Sequence, residues 1–572
     1  MEENSSDRNI MREPLLGTSN GGLKTLPFII ANEAFEKAAS FGLLPNMILY
    51  LMRGYGMELA TGSNIIFFWN AATNFTPVIG AFLADSYVGR FWMIGFGSIF
   101  SFLGMIFLWL TAIIPGATPC DDSGSECKSW NVFQLTLLVS AFGLMSIGAG
   151  GIRSASLAFG ADQLLKKDNF SDAGILERFL NWYYSACCGA VVVGVLFVVY
   201  IQDHFGWKVG FGVSVVLMLL SALSFFSAST LYIKFKAKAG SLIAFAQVLM
   251  VSWKKRNLNF SEDELYYQSK GSRLLIPSDK LRFLNKACIV GNAEEELTPD
   301  GVAIDPWNLC TVNQVEEVKA LIKVIPMWST GIMMSVTTTQ FTFPVLQAGS
   351  MDRHITSNFQ VPAGSFGTFT VISIILWIAI YDRIVIPLAT KITGKPGQLS
   401  VRKRMGVGLI LSFMSMVVCA IIEGVRRETA IKEGFSDDPK AVTDMSAYWL
   451  LFHHWISGMA EALFLVGQNE FFYSEFPKSM SSVATTISGL STSVASLFAS
   501  LIMSSINSIT SKGGKESWVS SNINRAHFDY YYWLLAGLSF LNFLYYLLCS
   551  RAYGPPSYDQ DRFEDNEEII EG

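Results

Sequence analysis

Long hydrophobic runs separated by short polar stretches recur along the whole chain. About 20 apolar residues in a helix cross the ~30 Å hydrocarbon core of a bilayer, and twelve runs reach this length. The predicted spans are 26–51, 64–84, 91–114, 132–153, 180–202, 209–232, 318–346, 363–389, 404–423, 446–472, 481–508 and 529–549. The pattern therefore predicts an all-α membrane protein with twelve transmembrane helices.

The twelve predicted spans fall into two groups of six, residues 26–233 and 314–552. A polar segment, 234–313, lies between them. Within it, residues 278–286 are predicted to form a short amphipathic helix on the membrane surface, and a solvated linker is the alternative for the rest. Two six-helix bundles joined by a linker are typical of transporters whose substrate site lies between the halves near mid-membrane.

The distribution of Lys and Arg predicts the orientation. The loops after spans 4 and 8 are rich in Lys and Arg, which places them and both terminal tails, 1–25 and the acidic 553–572, in the cytoplasm. The loop after span 9, with Arg426 and Arg427, is an exception that nearby acidic residues partly balance. Cys120 and Cys127 share a loop that would then be extracellular, where a disulfide is an open alternative.

Composition agrees with a membrane protein, because 51% of residues are hydrophobic and 16% are charged, against roughly 25% charged in a soluble domain. No basic run is interleaved with aromatic residues, so nucleic acid is not an expected partner. We find no nucleophile–base set and no His/Cys spacing for a metal. The expected partners are the lipid bilayer, protons and a small-molecule or ion substrate. Neither an enzymatic activity nor a cofactor is expected.

The first predicted span carries three charges, Glu33, Glu36 and Lys37. If the span begins near residue 26, Glu33 lies roughly 10 Å and Lys37 roughly 16 Å into the membrane. Charges at this depth normally face a bundle interior or a water-filled path, and their spacing puts all three on one helix face. We interpret the cluster as a proton-coupling site, with a permanently paired structural cluster as the alternative.

Two further charges mark the predicted substrate site. Arg153 follows the glycine-rich run 148–151 in span 4 and could bind an anion or a carboxylate. Glu461 lies near the middle of span 10 without a charged neighbour in sequence, so its partner must come from another helix, and Arg153 is a candidate. Thr338 in span 7 is a weaker substrate-binding candidate, because such side chains in membrane helices often bond their own backbone.

Asp85 and Arg90 flank the tight turn between spans 2 and 3. Their opposite charges could hold one side of a transporter shut, which predicts a gating role. Topogenic charge is the alternative for Arg90.

At these residues the sequence resembles the plant nitrate/peptide transporter family, a branch of the proton-coupled oligopeptide transporters within the major facilitator superfamily. The resemblance covers roughly residues 22–552. Its carriers are Asn32-Glu33-Ala34-Phe35-Glu36-Lys37, the turn 80–90, Phe159-Gly160-Ala161-Asp162-Gln163, Asn181-Trp182-Tyr183-Tyr184, Val315-Glu316-Glu317-Val318-Lys319, Tyr381-Asp382-Arg383 and Phe476-Pro477-Lys478-Ser479-Met480.

The resemblance implies proton coupling through Glu33, Glu36 and residue 37, with Arg153 and Glu461 facing the substrate. Lys37 stands where the family usually has Arg, and it keeps the charge but loses the bidentate fork. Arg153 replaces the more usual Lys. Thr338 stands where some nitrate-transporting relatives place a His, so a nitrate site would use neutral donors with Arg153 and Lys37.

The leading hypothesis is a proton-coupled symporter of a small anionic solute, with nitrate first, that works by alternating access in the plasma membrane. The vacuolar membrane is the alternative location. Di- or tripeptides and a carboxylate plant hormone are the alternative substrates. A membrane nutrient sensor that does not transport is the alternative from another class, although such a sensor would not need both carboxylates of the first span.

Overall fold

The structure is a computed structural model that describes residues 21–120, 127–164, 173–235, 241–258, 265–268, 276–298, 301–393, 399–476 and 481–553. Nearly all of both predicted tails lies outside these ranges. The helices are α1 Leu26–Leu43, α2 Met47–Arg53, α3 Leu59–Leu83, α4 Arg90–Ile113, α5 Val132–Leu164, α6 Ala173–Ser227, α7 Ser241–Lys254, α8 Ala293–Glu296, α9 Val312–Thr338, α10 Thr342–Gly349, α11 Thr368–Ile380, α12 Ile386–Thr393, α13 Val401–Lys432, α14 Leu450–Glu475, α15 Ser481–Thr510 and α16 Phe528–Ala552.

Four short strands accompany the helices, β1 Met351–Asp352, β2 His354–Thr356, β3 Phe359–Gln360 and β4 Thr443–Ser446. Strand β1 pairs in parallel with β4, and β2 pairs with β3 as a hairpin. Both pairs lie in loops between membrane helices, and they shape one end of the molecule.

Ten helical stretches in the described ranges are long and apolar enough to cross a membrane. One of them, Arg178–Ser227, has 50 residues and would be about 75 Å long if straight. It breaks at Gly206, whose φ of 80° favours glycine, so it contains two predicted spans. The first predicted span is divided into α1 and α2. With these two divisions, all twelve predicted spans are helical, and the predicted all-α membrane fold is confirmed.

Helices within each half pack mainly on one another. In the first half α1 packs on α6, and α4 and α3 pack on α5. In the second half α13 packs on α14 and α16, and α11 packs on α14. Contacts between the halves run mainly along α3 and α15. The precise limits of the two bundles and the linker stay a prediction.

The halves meet at the end that holds the Cys120–Cys127 disulfide, which the structure contains. We call it the disulfide end, and we call the opposite end, with the turn between α3 and α4, the linker end. Asn64 accepts a hydrogen bond from Ser500 at 2.8 Å and donates to Ser504 at 2.9 Å. Asn70 donates to Ser496 at 3.1 Å. These bonds use the part of α3 nearest the disulfide end.

An apolar core reinforces this closure, because it contains residues of both halves. Its buried members include Leu43, Tyr50, Val336, Phe343 and Tyr531. The two halves therefore pack directly on each other at the disulfide end, and we call this contact the closure of that end.

The linker differs from its prediction as a membrane-surface amphipathic helix over 278–286. The chain instead forms a 3₁₀ helix over Arg282–Cys288, after Leu281 in the left-handed region at φ 52°. Leu284, Ala287 and Cys288 are buried in a small core with α7 and the start of α9. Protein therefore covers part of the apolar surface of the segment, while Phe283 stays 56% exposed.

Candidate functional site

Helix α1 presents the three predicted proton-coupling residues inside the first bundle. Glu33 and Glu36 are buried, and the Lys37 side chain is 19% exposed. Helix α1 reaches this depth because small residues let it pack tightly on α6. A Cβ atom on Gly42 would lie 2.7 Å from the Cβ of Val198, so this approach needs glycine.

Arg153 reaches the cluster from α5. A Cβ atom on Gly150 would lie 2.7 Å from the Cβ of Thr76, and one on Gly151 would lie 2.6 Å from the carbonyl oxygen of Met93. The predicted close approach at the glycine run is therefore present, with α3 and α4 against α5. Arg153 follows two positions after this glycine run.

The Arg153 guanidinium forms an ion pair with Glu36. Its Nη2 donates to Glu36 Oε1 at 2.8 Å and its Nε lies 3.5 Å from Oε2. Ser40 donates to the same Oε1 at 2.8 Å. Glu36 is fully buried, whereas 16% of the Arg153 side chain is exposed. Arg153 is therefore the member of the pair that a solute could contact.

Glu33 is held less firmly. Its Oε1 lies 3.5 Å from Lys37 Nζ, and its Oε2 is buried without a hydrogen-bond partner in the described part of the chain. A buried carboxylate oxygen without a donor is costly, and a proton on it would lower that cost.

Phe41 lies near both cations, with its ring centre 5.5 Å from Lys37 Nζ and 5.4 Å from the Arg153 guanidinium carbon. The ring face can attract both charges. The four charged groups therefore form one set of two carboxylates and two cations around an aromatic ring, with no net charge when all are ionised.

Glu461 lies in the second half and is partly buried on α14. It follows by one turn Gly458, which packs against Ser373 of α11. Within the described ranges no hydrogen bond or ion pair reaches its carboxylate. Arg153, the candidate partner from the sequence, pairs with Glu36 instead, because α5 packs beside α1 in its own bundle.

Thr338 is near the end of α9, and its hydroxyl donates to the carbonyl of Ser335 at 3.1 Å. This is the backbone bond that the sequence analysis considered as the alternative to substrate binding. The neighbouring Thr337 contacts Ser412 of α13 at 2.9 Å, which ties two helices of the second half together.

Asp85 and Arg90 meet at the linker end as predicted, with Arg90 Nε 3.0 Å from Asp85 Oδ1. Arg90 also contacts Asp162 of α5 at 2.9 Å. The turn between them has a single-turn π-helix, Ala84–Val88, followed by Gly89 at φ 84°. The contact joins three helices of the first half, and a role in gating stays a prediction.

Sequence reasoning missed a second buried ion pair, Glu423 with Arg426 on α13, both 0% exposed. Arg426 makes two bonds to Glu423, at 2.7 and 2.8 Å. It also donates to the Asn524 side chain at 2.7 Å and the carbonyl of Ile523 at 2.8 Å. Gln347 of α10 donates to Glu423 at 2.7 Å. The sequence did contain a signal for this pair, because Arg426 is an exception to the orientation that the Lys and Arg distribution predicts.

Two adjacent histidines on α14 were also missed. His453 contacts the hydroxyl of Ser415 at 2.8 Å, and His454 contacts that of Thr370 at 2.8 Å. Among the described residues no group of three His, Cys, Asp or Glu side chains could hold a metal ion.

Comparisons with known proteins identify the family. A model of the POT family matches residues 91–519. The NRT1/PTR FAMILY 1.2 protein of Arabidopsis thaliana is 54% identical over 94% of this chain and 90% of its own length. The NRT1/PTR FAMILY 1.1 protein of the same plant is 50% identical over 98% and 96%.

Solved structures share the fold. The crystal structure of an auto-inhibited POT family peptide transporter aligns with a TM-score of 0.66 at 18% identity, over 93% of this chain and 98% of that chain. A POT family transporter in complex with 5-aminolevulinic acid aligns with a TM-score of 0.61 at 14% identity, over 94% and 99%. The matches confirm the predicted resemblance and identify a transporter and not an enzyme: the chain belongs to the NRT1/PTR group of the POT family of integral membrane transporters.

Proposed function

We propose that this chain is a proton-coupled symporter of a small anionic solute, with nitrate as the leading substrate. The observation that carries the proposal is the balanced charge set of α1 and α5, in which the Glu36–Arg153 pair is closed and Glu33 keeps one oxygen without a partner. Such a set can take up a proton and become positively charged.

The charge count supports coupling between proton and anion. When Glu33, Glu36, Lys37 and Arg153 are all ionised, the set has no net charge and offers no attraction to an anion. One proton on either carboxylate leaves an excess positive charge beside Phe41 in a desolvated site, where electrostatic attraction is strong. An anion and a proton then each favour binding of the other, which is the reciprocity that symport needs.

Arg153 is the group best placed to contact the anion. Its side chain is the exposed member of its pair, and its planar guanidinium can donate two parallel hydrogen bonds to nitrate or a carboxylate. Lys37 contributes a second positive charge near Phe41. Thr338 remains a weaker neutral donor, because its hydroxyl already has a backbone partner.

Closure at the disulfide end supports alternating access. The solute would reach the site from the linker end in this conformation, and the α3–α15 hydrogen bonds would open when the halves rock. One charge moving through the membrane potential is worth about 2.3 kcal/mol per 100 mV. One proton per anion cancels this voltage term, and more than one proton per anion would make uptake into a negative interior favourable with respect to the membrane potential.

The proposed orientation places both termini in the cytoplasm of a plasma-membrane protein. The disulfide supports this orientation, because disulfides persist on the oxidising, extracellular side of the membrane. The proposed division is a first bundle over 26–233, a cytoplasmic linker over 234–313 and a second bundle over 314–552.

A second candidate substrate class is a zwitterion such as a di- or tripeptide, because Glu461 has no ionic partner within the described ranges. A ligand with an amine for Glu461 and a carboxylate for Arg153 would satisfy both halves at once. One fold relative binds 5-aminolevulinic acid, which has these two groups. A carboxylate hormone would use Arg153 alone.

The test is uptake in oocytes at acidic and neutral external pH, with nitrate, a dipeptide and a carboxylate hormone offered separately. We expect acid-stimulated nitrate accumulation that survives Glu461→Gln. Acid-stimulated dipeptide uptake that Glu461→Gln abolishes would favour the second candidate. If no solute accumulates although the protein is at the cell surface, the symporter proposal is wrong and a sensor is favoured.

A further inference from the structure

A groove of about 550 Å³ separates the two halves on the flank formed by α6 and α11. This volume lies within the usual range for small-molecule sites, roughly 300 to 1,000 Å³. Its walls are almost entirely apolar and come from both halves. The wall residues that the argument uses are Val193, Phe197, Val361, Thr368 and Phe369.

The groove opens toward the bilayer. Val193 and Phe197 are 61% and 58% exposed on a helix that crosses the membrane, so acyl chains surround this surface. The wall on α6 extends from Val193 to Tyr200, which is about 10 Å of helix, or a third of the hydrocarbon thickness. The groove therefore occupies one leaflet, at the disulfide end.

Two polar groups near the groove lack partners. The hydroxyl of Thr368, which lines the groove at 1% exposure, has no hydrogen-bond partner in the described part of the chain. At the rim, Arg353 donates from Nη1 to the carbonyl of Val361, a wall residue, at 3.0 Å, and its Nε has no partner among the described residues. An apolar groove with a hydroxyl that lacks a partner and a cation at its rim matches an amphipathic molecule whose polar end carries an anionic group.

We propose that this groove is a phospholipid-binding site, with an acyl chain between α6 and α11 and the phosphate at Arg353. The order of groups along the site matches the order along a lipid. Arg353 lies in the loop before β2, at the level of the head groups, Thr368 begins α11, where an ester oxygen could accept from its hydroxyl, and the apolar wall lies below.

The site has a consequence for the transport cycle, because its two walls belong to different halves. Opening of the disulfide end would move α6 and α11 relative to each other and change the width of the groove. A lipid that fits the groove in the closed form therefore stabilises that form by linkage. Direct hydrogen bonds between α3 and α15 stabilise the closed form on one flank, whereas a lipid between α6 and α11 would stabilise it on the other.

The test is native mass spectrometry of the purified full-length protein titrated with palmitoyl-oleoyl phosphatidylcholine. We expect one phospholipid that resists delipidation. Val193→Trp fills the groove and should weaken its binding at least about tenfold, because several methylene groups lose their contact. Arg353→Gln removes a charge-assisted bond and should weaken it by about tenfold.

The matched control is Val216→Trp, which makes the same change at a 55% exposed position of α6 outside the groove. It should bind lipid like the wild type. Equal lipid retention by Val193→Trp and Val216→Trp would overturn the proposal, and so would retention of a sterol in place of the phospholipid.

A second measurement does not depend on any variant. A phosphatidylcholine with a photoreactive acyl chain should label peptides that contain residues 193–200 or 359–372 of the wild-type protein. Labelling of other membrane helices without these two segments would also contradict the site.

Discussion

Two buried ion pairs, one in each half, differ in how completely their hydrogen bonds are made. Glu423 and Arg426 are fully buried, and Arg426 donates to a carboxylate, an amide, a hydroxyl and a carbonyl. Glu36 pairs with an Arg153 that remains partly exposed, next to Glu33, which has an oxygen without a partner. The hydrogen bonds of the Glu423–Arg426 pair are complete, so we expect the pair to stay intact. The Glu36–Arg153 pair lies next to Glu33, a carboxylate that can still gain a proton.

Their positions agree with this difference. The Glu423–Arg426 pair ties α13 to α10 and to the loop before α16 at the closed end. The Glu36–Arg153 pair joins only α1 and α5, within one bundle. Buried charge alone therefore does not indicate a transport role, and we propose that the completeness of hydrogen bonding separates a structural pair from a pair that takes part in proton coupling.

The largest expected effect is on stability, from Arg426→Met. This change leaves Glu423 as an uncompensated buried charge, which costs about 3–5 kcal/mol of folding free energy. We expect strongly reduced thermal stability in detergent, measured by fluorescence-detected size exclusion. The double variant Glu423→Gln with Arg426→Met should recover part of the loss, and a stable single variant would show that the pair is not a structural anchor.

Glu33→Gln should have a much smaller effect on folding. The Glu33–Lys37 distance of 3.5 Å is too long for a strong hydrogen bond. We therefore expect the free energy of unfolding to fall by about 1 kcal/mol or less. The acid stimulation of uptake should nevertheless decrease, because one proton acceptor is lost. Thermal stability and uptake measured on the same variant distinguish these effects, and a loss of stability like that of Arg426→Met would remove the contrast between the pairs.

How much of the fold and of the candidate site the sequence predicts depends mainly on how far apart the contacting residues lie in the sequence. Hydropathy predicted every membrane helix, and the spacing of Glu33, Glu36 and Lys37 predicted their common face, because both follow from local geometry. The choice of Glu36 over Glu461 as the partner of Arg153 depends on which helices are neighbours, and no local pattern contains that information.

The same limit explains the two other differences. Arg426 looked like an exception to the charge rule for loops. Its partners Asn524 and Ile523 lie about a hundred residues further along the chain, whereas the i,i+3 spacing to Glu423 on the same helix was a local signal that was overlooked. The segment 278–286 looked amphipathic from its local pattern, whereas in the structure α7 and α9 bury Leu284 and leave Phe283 56% exposed. In both cases the sequence indicated an unusual residue or segment but not what it contacts.

The smallest expected effect concerns pH at the disulfide end. Burial and the nearby Arg427 lower the pKa of His527, whereas Asp529 opposes the shift. The unfolded chain then binds more protons, so stability is full above a pH of about 6.5 and decreases as the pH falls through the lowered pKa. Thermal stability measured from about pH 5 to 8 should show this decrease, and His527→Gln should reduce it. An unchanged profile would remove His527 from the account.

The most direct test of the central claim compares driven and exchange transport in Glu36→Gln proteoliposomes. The neutral amide cannot release or accept the coupling proton, but Arg153 remains available to bind the anion. We predict that accumulation driven by an inward proton gradient is lost, while exchange of labelled nitrate for unlabelled nitrate without a gradient continues. Gradient-driven accumulation at the wild-type level would contradict proton coupling through the Glu36–Arg153 pair.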